Sequence, residues 1–215
     1  MKNLKTVIIL IVVLLLTQVV VAQSRTTYII KGGISSASLI IKDDDHTYFD
    51  TGDSRLGFRI GVSMETPVID ILNFETGVFL SRKGMKWEKH GVTRELTPMY
   101  LEIPLNLKYS KPVNNLSLYG TVGAYVGYGF AGETNASGSI LSYSDDISWG
   151  SDEDDDMKPF DLGGTIGFGV IVDQIEAGLY GSTSFINLAP DTSNGYSIRN
   201  VELGLTVGYR FKMPN

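Results

Sequence analysis

Between residues 116 and 130 the chain keeps two chemistries on alternate positions. Leu116, Leu118, Gly120, Val122, Ala124, Val126, Tyr128 and Phe130 are compatible with lipid, whereas Ser117, Tyr119, Thr121, Gly123, Tyr125, Gly127 and Gly129 are small, polar or hydroxylated. A strand sends successive side chains to opposite faces, so one face is apolar along the whole segment. That is far longer than the about 5–6 residues of ordinary strands. The same parity returns in residues 55–65, 99–109 and 199–211, with charges inside the strands but confined to the polar set.

The alternation predicts eight strands, at about 27–36, 55–66, 69–82, 98–109, 116–131, 159–172, 175–187 and 199–211. Connections alternate in length: Pro67-Val68, residues 110–115 and Asp173-Gln174 are short, whereas 37–54, 83–97, 132–158 and 188–198 are long. Short turns at one end and long loops at the other, with an even strand number, are the pattern of an antiparallel up-and-down transmembrane β-barrel. A soluble sandwich or barrel is the competing reading, because parity alone does not say which face is wet.

Charge bears on that choice. The polar face carries Lys31, Arg55, Arg59, Lys108 and Arg210 against Glu65, Glu75, Glu102, Asp161, Glu176 and Glu202. An eight-strand barrel has an interior that side chains fill. Charges enclosed there must be paired, since an uncompensated buried charge costs several kcal/mol. The near balance of signs therefore suits a lumen, and these eleven residues are the expected interior ion-pair network. Gly32, Gly57, Gly61, Gly77, Gly123, Gly127, Gly163, Gly167, Gly169, Gly178, Gly204 and Gly208 are assigned to the same face, where they leave room for long side chains. Tyr28, Tyr100, Tyr109, Tyr128, Tyr209, Phe130, Phe160 and Phe211 fall near strand ends and are expected as interfacial girdles.

The N-terminus reads as an export signal. Lys2 and Lys5 precede an apolar run over residues 7–16, and Val20-Val21-Ala22 precedes Gln23. Cleavage after Ala22 would divide the chain into a signal peptide, 1–22, and a barrel domain, 23–215; a retained anchor is the alternative. There is no cysteine, so no disulfide supports the exported chain.

Of the 215 residues, 18 are Lys or Arg and 24 are Asp or Glu, a formal charge of −6. The excess is local: residues 133–157 hold Glu133, Asp145, Asp146, Asp152, Glu153, Asp154, Asp155 and Asp156 and no base. Nothing supports a nucleic-acid partner, which needs a basic patch. Asp152, Asp154 and Asp156 match the first spacings of a calcium loop, but Met157 stands where that loop needs glycine and Gly163 where it needs glutamate. The plainer expectation is a hydrated loop tip of self-repelling charge. Gly127-Tyr-Gly-Phe-Ala-Gly132 has the letters of a dinucleotide fingerprint inside a strand, where it has no helix to open. His46 and His90 are the only histidines. Asp43, Asp44, Asp45 and Asp50 flank His46, but a base also needs a nucleophile in reach, and no catalytic site, metal or cofactor is expected.

Several segments carry a family resemblance: Tyr28-Ile-Ile-Lys-Gly-Gly-Ile-Ser, Leu72-Asn-Phe-Glu-Thr-Gly-Val-Phe-Leu-Ser-Arg-Lys-Gly84, Tyr100-Leu-Glu-Ile-Pro-Leu-Asn-Leu-Lys-Tyr109, Leu118-Tyr-Gly-Thr-Val-Gly-Ala-Tyr-Val-Gly-Tyr128, Phe160-Asp-Leu-Gly-Gly-Thr-Ile-Gly-Phe-Gly169 and Leu203-Gly-Leu-Thr-Val-Gly-Tyr-Arg-Phe211. With these the chain resembles the small outer-membrane β-barrel proteins of Bacteroidetes, which include PorT-like proteins. The resemblance implies an eight-strand barrel of the OmpA/OmpX-like kind in the cell outer membrane. It implies as partners outer-membrane lipid and lipopolysaccharide, the outer-membrane assembly machinery and an envelope protein. The expected role is non-enzymatic: structural, adhesive or assembly work by the surface loops. A secretion-apparatus subunit and a narrow transport channel are the alternatives, and a lipid-A-modifying enzyme ranks behind both.

Overall fold

The computed structural model describes residues 26–42, 47–48, 53–89, 92–138 and 142–211. The expected signal segment, His46 and His90 lie outside the described residues. Eleven strands follow in order: β1(Thr27–Lys42), β2(Thr47–Tyr48), β3(Asp53–Ile69), β4(Leu72–Arg82), β5(Met85–Lys89), β6(Val92–Val113), β7(Leu116–Gly138), β8(Ser142–Asp146), β9(Phe160–Val172), β10(Ile175–Ser184) and β11(Ser197–Phe211).

Eight of them close a ring in the order β1, β11, β10, β9, β7, β6, β4, β3 and back to β1, every neighbour antiparallel. Closure leaves the barrel wall without an edge, which disposes of the unpaired backbone that lipid would not tolerate. Among the described residues no helix is long and apolar enough to cross a membrane; the barrel crosses with strands.

Parity sorts the two faces. Leu56, Ile166 and Leu203 point outward and are 73%, 65% and 61% exposed, while Lys108 and Asp161 on the other face are fully enclosed. The apolar face is thus the outer wall, as lipid requires. Two corrections concern facing. Gly32 looks out, with open space where a Cβ would stand, and Gly33 takes the inward place beside Lys31. Tyr100, expected in a girdle, is wholly buried in the lumen, because it shares the inward parity of Glu102 and Lys108. Tyr109 and Tyr209 at the turn end, and Tyr128, Phe130 and Phe160 at the loop end, are exposed on the wall. Tyr28 and Phe211 stack 6.0 Å apart at the turn end.

The strands run further than the alternation suggests. Pro67 and Val68 belong to β3 and the first short turn is Asp70-Ile71; β6 continues to Val113, so the second is Asn114-Asn115. Asn114 and Asp173 take the left-handed conformation, at φ 52° and 53°, which short polar side chains tolerate in two-residue hairpins. β10 stops at Ser184 rather than 187, and β11 starts at Ser197. At the loop end, β6 and β7 span 22 and 23 residues, about twice what crosses a membrane, and β5 and β8 pair with their protruding ends. Out in water the ladder persists without an apolar face to announce it.

Pro104 lies mid-strand in β6, where a missing N–H interrupts the sheet. The β4–β6 ladder skips from Thr76↔Leu105 to Phe79↔Glu102, while Pro104 keeps its place opposite Tyr125 of β7. The missing donor therefore falls on the side where the ladder opens.

Candidate functional site

The lumen is filled in layers. Nearest the turns, Lys31 (β1), Lys108 (β6) and Arg210 (β11) meet Glu65 (β3), Glu75 (β4) and Glu176 (β10). Lys31 Nζ lies 2.5 Å from Glu75 and 2.8 Å from Glu176. Lys108 Nζ is 2.5 Å from Glu176, 3.0 Å from Glu65 and 3.4 Å from Glu75. Arg210 holds Glu65 at 2.8 Å and Glu176 at 2.6 Å. Three cations face three carboxylates, so the layer is neutral. The Tyr119 ring of β7 covers Lys108 at 4.4 Å. A Cβ on Gly169 or Gly178 would come within 2.7 or 2.2 Å of the Tyr119 hydroxyl, which is why the adjoining wall is glycine.

Above this layer a cavity of about 60 Å³ is lined by Arg59, Asn106, Thr121, Tyr180 and Thr206 among others. It admits water, but is well below the about 300 Å³ at which small-molecule sites begin. Then comes a second charged layer. Lys83, following β4, lies 2.6 Å from Glu102 and 4.0 Å from Glu202, and Arg59 lies 3.6 Å from Glu102. Arg59 also stacks over Phe79 at 4.2 Å, and Tyr180 donates to Glu202 at 2.6 Å. Asp161 is served differently, by neutral donors: Tyr125 at 2.9 Å, Ser184 at 3.0 Å and the Asn200 amide at 2.9 Å. Nearer the mouth Arg55 pairs with Glu95.

Of the eleven expected residues, six are brought into the first layer. Arg59, Glu102 and Glu202 join in the second, Arg55 stands apart with Glu95, and among the described residues Asp161 has no cation within ion-pair distance. Lys83 and Glu95 were not foreseen, because residues 83–97 read as loop. Lys83 nevertheless extends the odd, inward parity of Glu75, Phe79 and Ser81.

The loop-side mouth is covered. Leu39, Met85, Met157, Leu188, Ala189 and Ile198 form a buried apolar cluster, with Ile41, Leu96, Trp149 and Ile186 against it. The acidic segment supplies part of this cover. Trp149 bridges to Met157 and meets Tyr100 edge-on at 5.6 Å. Trp149 also sits on Gly129, where a Cβ would come within 2.2 Å of its ring. The segment is tied down by Ile147 N–H to Gly132 O at 3.0 Å and Lys158 N–H to Leu188 O at 2.8 Å. Asn187 fastens residues 185–198 by accepting from the amides of Ala189 and Ile198, both at 2.9 Å. In that loop, hydrogen bonds from the Ser193 hydroxyl and amide hold the Asp191 carboxyl below its ordinary pKa.

Rather than a hydrated tip alone, the acidic segment is thus a lid with an apolar underside. Its carboxylates serve its own turn: Asp155 accepts from Ser148 Oγ at 2.8 Å and Asp152 N–H at 2.9 Å, and Asp156 from Ser148 N–H at 2.8 Å. Among the described residues no group of three or more metal-ligating side chains converges. The glycine-rich stretch 127–132 lies within β7.

Comparison with known proteins places this geometry. A family model described as outer membrane protein beta-barrel domain matches residues 21–190. The attachment invasion locus protein Ail of Yersinia pestis is similar at 15% identity, covering 86% of this chain and 98% of Ail, with a TM-score of 0.42. OprG of Pseudomonas aeruginosa also shares 15% identity, covering 89% and 99%, at a TM-score of 0.45. Neisserial surface protein A shares 12%, covering 86% and 97%, at 0.41. Among curated proteins no sequence relative matches.

Proposed function

Because the chain belongs to the outer membrane protein beta-barrel domain family, and so resides in the outer membrane, we propose that it acts there as a non-enzymatic, non-conducting surface protein. Its working part is the covered loop end, in a structural, adhesive or assembly role. The observation that carries this reading is the double closure of the lumen: two layers of charged side chains and an apolar seal across the mouth. A solute would have to displace both. Among the described residues no nucleophile and base are brought together in a cleft of substrate size, which turns attention to the outside surfaces.

The exposed surface with the strongest character is the acidic rim around Asp152, Glu153 and Asp154, held in place by Trp149 and Met157 beneath. A fixed cluster of like charge suits a protein partner with a basic face better than a loose tip would, because less ordering entropy opposes binding. The test is affinity capture from native envelopes, comparing wild type with the triple variant Asp152→Asn, Glu153→Gln, Asp154→Asn. A partner kept by wild type and lost by the variant supports the reading; equal capture refutes the rim as the binding surface. Planar-bilayer recording is expected to show no steady conductance, and stable single-channel steps would refute the closed lumen.

A further inference from the structure

Directly across the ring from β7, which carries the acidic extension, stands β1 with its neighbours β11 and β3. On their outer wall, and reaching Leu179 of β10, a shallow groove of about 360 Å³ is lined by Ile34, Ser36, Leu56, Leu203 and Leu205, with Ser54 and Arg55 also bordering it. Its depth comes from size contrast. Ser36 pairs with both Leu203 and Leu56, so a small side chain sits between two large ones that project outward.

Following the wall toward the loops, the chemistry changes in order. Ser38 lies opposite Val201, Ile40 opposite Arg199, and Lys42 opposite Ser197. Arg199 and Lys42 share the outward parity, and both are exposed. As diagonal neighbours across an antiparallel pair their Cβ atoms are about 7–8 Å apart, within reach of one common anion. Neither forms an ion pair among the described residues. Arg199 is four residues along β11 from Leu203, about 13 Å at the usual rise and less in height once the strand tilts.

We propose that this face seats a phosphorylated glycolipid of the outer leaflet, with one acyl chain in the Ile34–Leu56–Leu203–Leu205 groove and a phosphate at Arg199 and Lys42. Two features select this occupant. Apolar depth, hydroxyls at Ser36, Ser38 and Ser54, and then paired bases reproduce the order of acyl chain, polar linkage and phosphate in such a lipid. The bases stand at the loop end, hence in the outer leaflet. Arg199 is the principal contact, since Asp43, Asp44 and Asp45, next along the chain from Lys42, lie outside the described residues. The proposed seat uses none of the acidic-rim residues and does not depend on any partner held there.

The test is native mass spectrometry of the full chain extracted from outer membranes in mild detergent. Wild type is expected to keep one phosphorylated glycolipid per barrel. Retention should fall at least tenfold in the double variant R199A/K42A, and equally in Ser36→Leu, which fills the groove and leaves the bases in place. Lys111→Ala, at the turn end, should behave as wild type. Heat-dependent gel migration establishes that each barrel is folded. Equal glycolipid retention by all folded variants would overturn the proposal, as would a retained species that is a phospholipid, or a second copy of the chain occupying the face.

Discussion

Lys108 offers the sharpest test of the layered lumen. Its ammonium is completely enclosed and lies within 3.4 Å of Glu65, Glu75 and Glu176. Lys108→Met keeps most of the side chain's volume and removes the charge. The layer is then left with Lys31 and Arg210 against three carboxylates. Breaking a buried pair by removing one partner costs about 3–5 kcal/mol, because a charge remains without compensation. The double variant K108M/E75Q restores the balance. Lys31 keeps Glu176 at 2.8 Å, and Arg210 keeps Glu65 and Glu176 at 2.8 and 2.6 Å. We expect it within about 1–2 kcal/mol of wild type, since replacing both members of a buried pair is far milder than removing one. The assay is reversible urea unfolding of the barrel in lipid vesicles, followed by tryptophan fluorescence, with E75Q alone completing the double-mutant cycle. A K108M barrel within about 1 kcal/mol of wild type would refute the reasoning, as would a double variant no more stable than K108M.

Other perturbations probe the remaining parts. Ile166→Arg, on the outer wall of β9, should cost about 2–4 kcal/mol near the bilayer midplane, measured by the same unfolding; no loss would mean that this face does not meet lipid. Gly129→Val places a side chain where the Trp149 ring lies, and should release the lid while the barrel stays closed. Proteolysis of intact cells should then cut within residues 147–158, and unchanged resistance would contradict the packing. Met157→Asp buries a carboxylate in the apolar cluster and should expose the same cleavage sites, with heat-dependent gel migration unaltered.

Much of this was legible in the chain, for a definable reason. Wherever a strand has lipid on one side, every second residue is chemically forced, so Leu101, Ile103, Leu105 and Leu107 announce both the strand and its facing. The eleven interior charges follow from the same parity. Outside the lipid the constraint ends. Residues 92–97 and 132–138 pair as regularly as any others, but no lipid flanks them and their sequence carries no apolar–polar period. Lys83 was hidden for that reason, one residue beyond β4. Tyr100 was misassigned because an aromatic near a strand end suits two places, a membrane interface or a lumen, and only its parity with Glu102 separates them. The lid was illegible for a different reason. Leu39, Met157, Leu188 and Ile198 are far apart in sequence and none belongs to an amphipathic run; only closure of the ring brings them over one mouth.

The ion pairs gain a meaning beyond stability once register is considered. Buried pairs repay their desolvation poorly, and net stabilisation from them is often small. Sliding β6 by one residue past its neighbours, however, turns Glu102 and Lys108 out into hydrocarbon and brings Leu105 and Leu107 into the lumen. The cost for Lys108 alone is about 2–4 kcal/mol if it emerges near the midplane, and Glu65, Glu75 and Glu176 lose their partner at the same time. Apolar residues of similar volume in the lumen would fill the space and leave a slipped barrel nearly as favourable as the right one. Charges on six of the eight strands, converging in one layer, make a single register the only one in which every charge is paired. On this argument the charged lumen specifies the cylinder, whatever the acidic rim and the outer wall are used for.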